Sequence, residues 1–158
     1  EDGDGFSLSQ ISGATTSQRV SIASRGNAIF VAFYDADDQD LVVASTFDDG
    51  GAWSIDIVDE AGITGQYPSI AIDDSDRPVV AYTYCNTSAR GCSDLGGNAE
   101  VRLARLEGSD WAMKPVDDGQ GQGGVGAFND LVVLSDGRLG VVFQDVRNND
   151  LIYAEEQP

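Results

Sequence analysis

The chain has 158 residues, with 27 acids against 9 basic side chains, a formal charge of -18 and no histidine. Such a charge repels phosphate backbones and anionic membranes and so excludes nucleic acid as a partner. The missing histidine excludes Ser-His-Asp and Cys-His catalysis, histidine-bound zinc and histidine pH switching.

In chain order, an acidic tail, 1–5, precedes a short apolar-alternating run, FSLSQIS at 6–12. TSQRVSIAS, AIFVAFYD and DLVVAST follow, each rich in Val, Ile, Ala or aromatics and bounded by Gly, Asp or Asn. These read as strands, and the near-continuous apolar runs read as strands buried on both faces. The pattern then recurs: WSIDIVD, TGQYPSIAID, RPVVAYTY and EVRLARL, and again WAMKPVD, FNDLVVLSDGRLGVVFQD and DLIYAEE. Corresponding positions are Phe6, Trp53 and Trp111; Ile11, Val58 and Val116; Ile22, Ile70 and Leu131; Phe33, Tyr82 and Phe143; Ala44, Ala104 and Ala154.

Three repeats at 6–52, 53–110 and 111–158 therefore form one unit, 6–158, and a repeat of four antiparallel strands is the blade of a β-propeller. No apolar run approaches the roughly 18 residues of a membrane span. The chain starts without Met, which suggests a processed product or a piece of something longer.

The turn TFDDGGAW carries Thr46, Asp48, Gly50 and Trp53 at the spacing of an Asp-box, with Ala52 in place of the usual hydroxyl residue. With the repeat, it resembles the sialidase-like, BNR-repeat propellers and the repeats of secreted bacterial propeller-like proteins. The resemblance covers Phe6 to Glu155. It implies an all-β fold, a secreted or cell-surface location and a structural Asp-box between the third and fourth strands of a blade.

The phase of the repeat adds a further expectation. Lettering the strands of a blade a to d outward, the order is d, abcd, abcd, abc. Two blades are complete and the third lacks its outer strand, while an orphan outer strand stands at 6–12. Three blades do not close a ring comfortably. The expectation is a half-ring completed to six blades by a second chain, with 6–12 finishing a last blade, or by missing sequence.

Cys85 and Cys92 enclose a six-residue loop, which fits a disulfide in an exported protein and lacks C-x-x-C redox spacing. This loop interrupts one repeat only, so it is a place to look for recognition. The candidate ligand-binding residues are Arg19, Tyr67, Tyr84, Asn86 and Arg90, on the loop 84–99 face, for a glycan or protein ligand. The acidic turn DADDQD offers Asp35, Asp37 and Asp40 as calcium candidates, although Gln39 and Asp40 break an EF-hand pattern; its partial recurrence as DVRNND favours Asx-turn hydrogen bonding. Otherwise no cofactor is expected.

Sialidase activity would require an arginine triad, and by phase Arg19 alone is suitably placed. The reading is an extracellular non-enzymatic binding or structural-assembly module, with a sialidase-type glycoside hydrolase, or a fragment of one, as the alternative.

Overall fold

The fold is taken from a computed structural model that describes residues 5–6, 8, 10–11, 16–85, 99–121 and 124–158. Eleven strands make up its regular structure: β1 Thr16–Arg25, β2 Ala28–Asp35, β3 Leu41–Thr46, β4 Ser54–Asp59, β5 Ile63–Ile72, β6 Pro78–Cys85, β7 Ala99–Glu107, β8 Asp110–Asp117, β9 Val125–Val133, β10 Leu139–Asp145 and β11 Asp150–Glu155. The described residues contain no helix, and so none that could cross a membrane.

The strands pair antiparallel with their neighbours in sequence, giving sheets β1-β2-β3-β4, β5-β6-β7-β8 and β9-β10-β11. Two four-stranded blades and one three-stranded blade follow the abcd, abcd, abc phase of the sequence. One carboxylate closes the β5-β6 turn: Asp73 accepts from the amides of Ser75 and Arg77 at 2.9 and 3.0 Å.

The inner strands β1, β5 and β9 lie side by side, and the sheets stack face to face. Because successive strand residues point to opposite faces, each middle strand contributes to two cores. Phe30, Ala32, Leu41 and Val43 of the first sheet meet Ile70, Val80, Tyr82 and Ala104 of the second in one buried seam. Val79, Ala81, Val101 and Leu103 on the other side of the second sheet meet Val125, Leu131, Leu139, Val141 and Phe143 of the third. This two-sided burial is why VVAY and IFVAF are continuously apolar.

The outer face of the first sheet holds a smaller cluster, Phe33, Val42 and Ala44, packed against Ile11, Val31 and Trp53. Val20, Ile22 and Ile57 on the same face are exposed. On the far face of the third sheet, Val132, Leu151 and Tyr153 are exposed.

The Thr46–Trp53 turn is locked by one carboxylate. Asp48 Oδ1 accepts from Thr46 Oγ1 at 2.5 Å, from Gly51 N at 2.9 Å and from Ala52 N at 3.0 Å. The Thr46 hydroxyl first, then these amides, hold the Asp48 carboxyl below the usual carboxylate range. Gly50 has φ +95°, a left-handed conformation that a side chain disfavours. A Cβ on Gly51 would come within 2.6 Å of Asp48 Oδ2. The two glycines and the aspartate therefore form one device that turns the chain and delivers Trp53 to the apolar face.

Candidate functional site

One end of the blades carries the connections 35–41, 59–63 and 145–150, and the Thr46–Trp53 turn lies at the other end. At the connection end each inner strand breaks register at the same place. The break lies between Thr16 and Val20 in β1, between Gln66 and Ser69 in β5, and between Ala127 and Asp130 in β9. A register break frees the local residues from the ladder and re-aims their side chains. Aligned on Ile22, Ile70 and Leu131, the residues so re-aimed are Arg19, Tyr67 and Phe128.

Tyr67 and Phe128 both take left-handed backbone conformations, φ 50° and 55°, which are costly for bulky side chains, at about 1–3 kcal/mol each. Their rings meet with centroids 5.1 Å apart at a 57° tilt, a favourable aromatic geometry. Phe128 is exposed and Tyr67 half-buried. Beneath them the two bulges are tied together: Asn129 Nδ2 donates to the Tyr67 carbonyl at 3.1 Å and to Thr83 Oγ1 at 3.2 Å, while Ser69 Oγ donates to Asp130 Oδ1 at 3.0 Å. Arg19 stands exposed at the corresponding break of β1.

Deeper, at the seam between the first two blades, lies a polar cluster. The Tyr82 hydroxyl, fully buried, donates to Asp59 Oδ2 at 2.6 Å. Arg102 Nη1 lies 3.7 Å from the same carboxylate, and its Nε donates to Glu100 Oε1 at 2.9 Å. The guanidinium sits over the Tyr84 ring, 3.3 Å from its centroid, a cation–π contact. Burial first, then the hydrogen bond to Asp59, pushes the Tyr82 phenol far above its ordinary value. Burial opposes the Arg102 charge, yet Glu100 leaves it raised. This hydrogen bond ties β6 of the second blade to β4 of the first across the seam.

The acidic turn folds on itself. Asp35 Oδ1 accepts from Asp37 N at 2.9 Å, and Asp145 Oδ1 accepts from Arg147 N at 2.9 Å and Asn148 N at 3.1 Å in the third blade. These are Asx turns. Among the described residues no three acids, Asp35, Asp37 and Asp40 included, gather closely enough to hold a metal ion. Burial first, then the charges of Asp38, Glu60 and Asp35, pushes the Asp40 carboxyl up.

Of the sequence candidates, Arg19 and Tyr67 thus occupy equivalent breaks, and Tyr84 lies under Arg102 at the neighbouring seam. Cys85 is buried at the end of β6; Asn86, Arg90 and Cys92 lie outside the described residues. Phe128 carries no polar group to mark it in the sequence, and the Tyr82 cluster draws its partners from three strands. A tyrosine at a position held by Phe33 and Phe143 was the one available signal.

No protein-family model matches the chain, and no curated protein matches it. Among solved structures, it is similar to the intramolecular trans-sialidase from Ruminococcus gnavus (15% identity, 93% of this chain, 33% of that chain, TM-score 0.48). It is also similar to the NanB sialidase from Streptococcus pneumoniae (14% identity, 90% of this chain, 22% of that chain, TM-score 0.48). A Trypanosoma rangeli sialidase mutant displaying trans-sialidase activity is a third (10% identity, 99% of this chain, 33% of that chain, TM-score 0.45). The chain spans a third or less of the length of these chains.

Proposed function

We propose that the chain is a non-enzymatic recognition module of an exported protein, binding a glycan at the connection end of its blades. The observation that carries this reading is the recurrence of the register break at Arg19, Tyr67 and Phe128, with two aromatics in strained conformations presenting one tilted ring pair. Strain kept at matching positions of rigid strands is characteristic of sites rather than of packing. A sugar ring offers an apolar face to such a pair, with the exposed Arg19 placed to serve an acidic substituent.

In this reading, the Thr46, Asp48, Gly50 and Trp53 turn is the Asp-box scaffold. A Cys85–Cys92 bridge belongs to this reading, in keeping with the absence of a free thiol among the described residues. The test is binding of the labelled chain to a panel of immobilised neutral and acidic oligosaccharides, repeated with Phe128→Ala. Exposed as it is, Phe128 can be removed without unfolding, so binding should fall at least tenfold while the melting transition stays in place. Binding that survives the substitution, or no binding across the panel, overturns the reading.

A further inference from the structure

Ser21 Oγ of the first blade accepts from Ile70 N of the second at 3.1 Å, and Ser69 Oγ of the second accepts from Leu131 N of the third at 3.0 Å. One inter-blade hydrogen bond is thus made twice, between equivalent atoms. Its third instance would use an acceptor at Asp130, the position of Ser21 and Ser69, and a donor at Ile22 N. Both belong to this chain, at its two opposite ends.

The apolar faces show the same incompleteness. Leu41, Val101 and Leu151 are equivalent; the first two are 0% exposed inside seams, and Leu151 is 80% exposed. Ile70 and Leu131 are 6% and 9% exposed, and their equivalent Ile22 is 68% exposed. The far face of the third sheet, with Val132, Gly140, Leu151 and Tyr153, thus has the form of one half of a seam. The near face of the first, with Ile22, Phe33, Val42 and Ala44, has the form of the other.

The outer-strand segment completes the pattern. Val58 lies in the first seam and Val116 packs against the second; their equivalent Ile11 packs on the outer face of the first sheet. Trp111 packs against the first seam, whereas its equivalent Phe6 is fully exposed, as is Leu8. At the outer rim of the second seam is a cleft of about 250 Å³ lined by Leu103, Pro115, Val141 and Ala154. It borders β11, which pairs with β10 alone among the described residues. The stretch from Gly5 to Gln18 carries no charge in a chain of net -18, so it can approach a second acidic surface without repulsion.

We propose that two copies close a six-bladed ring by exchanging this segment. The segment that carries Phe6, Leu8 and Gln10 in one copy lies along β11 of the partner's third blade, with Phe6 and Leu8 filling the cleft. The register follows from β3-β4, where Ala44 faces Ile55 and Val42 faces Ile57, and from β7-β8, where Ala104 faces Met113: Leu8 faces Ala154, and Gln10 faces Ile152. The two seams so formed repeat the two within each chain. Symmetry makes the exchange reciprocal and leaves no sheet edge open at β11. This inference stands independently of the glycan reading.

The test mixes two singly substituted full chains, Leu8→Cys and Ala154→Cys, under mild oxidation. The expected product is a cross-linked pair on a non-reducing gel, formed at least tenfold more than with Leu8→Cys and Ile152→Cys, which is out of register. A chain carrying both Leu8→Cys and Ala154→Cys should give a doubly linked particle of two chains in native mass spectrometry. A link within one chain, a ladder of higher species, or unlinked monomers that retain the wild-type circular dichroism spectrum would each overturn the proposal.

Discussion

The closed seams and the open faces are built from equivalent residues, yet their environments are opposite. Phe143 sits at 0% exposure between the second and third blades, while Leu151 and Tyr153, one strand further out and on the other side of the same sheet, lie in the open. What the difference teaches is that the sheets of this chain are alike in pattern but not in partner: a strand designed to be buried on both sides is buried on one. Exposed apolar surface of this extent normally marks an interface.

The largest effect should come from breaking a closed seam. Phe143→Ala removes a fully buried ring and should cost about 3–5 kcal/mol in denaturant unfolding. Leu151→Ala should leave the unfolding of an isolated chain within about 0.5 kcal/mol, and should act only on the concentration-dependent part of stability. Equal losses from the two substitutions would erase the contrast.

A smaller effect belongs to the polar lock of the first seam. Tyr82→Phe installs the ring already present at Phe33 and Phe143 but leaves the Asp59 carboxylate, buried, without its hydroxyl donor. The expected cost is about 1–3 kcal/mol, read as a shifted denaturation midpoint at unchanged slope. A neutral result would mean that Arg102 alone satisfies Asp59.

The subtlest contrast lies between two buried aspartates and is read through pH. At Asp73 burial raises the carboxyl, but hydrogen bonds from Arg77 and Ser75 outweigh it and the group ends below its ordinary value. A depressed folded value stabilises the protein above the unfolded aspartate range near about pH 3.9, and that stability is lost as pH falls through the folded value. Asp73→Asn should therefore be less stable than the parent at neutral pH and converge with it in acid. At Asp40 the sign reverses: burial and neighbouring acids raise it, so its ionisation weakens the fold as pH rises through and above the unfolded value. Asp40→Asn should be more stable than the parent at neutral pH, with the gain vanishing in acid. Urea titrations across pH 2–7 separate the two.

Much of this was legible beforehand. Strand order and phase followed from apolar runs cut by Gly and Asp, because a side-chain period of two leaves a direct trace in sequence. The Asx turn at Asp35 was legible because Asp145 repeats it. The strained breaks at Tyr67 and Phe128 were not, since no glycine marks the left-handed backbone there. Nor was the Asp59, Tyr82 and Arg102 cluster, assembled from β4, β6 and β7 by pairing across a seam. Trp53, marked in the sequence by the Asp-box spacing, packs beside Phe33, Val42 and Ala44 on the outer face of the first sheet.

The central claim, that equivalent faces at the two ends of the chain close on each other, is tested most directly by solution mass. Light scattering through a dilution series should give a particle of twice the chain mass that persists to low concentration. A folded particle of a single chain's mass, stable at every concentration, would contradict it.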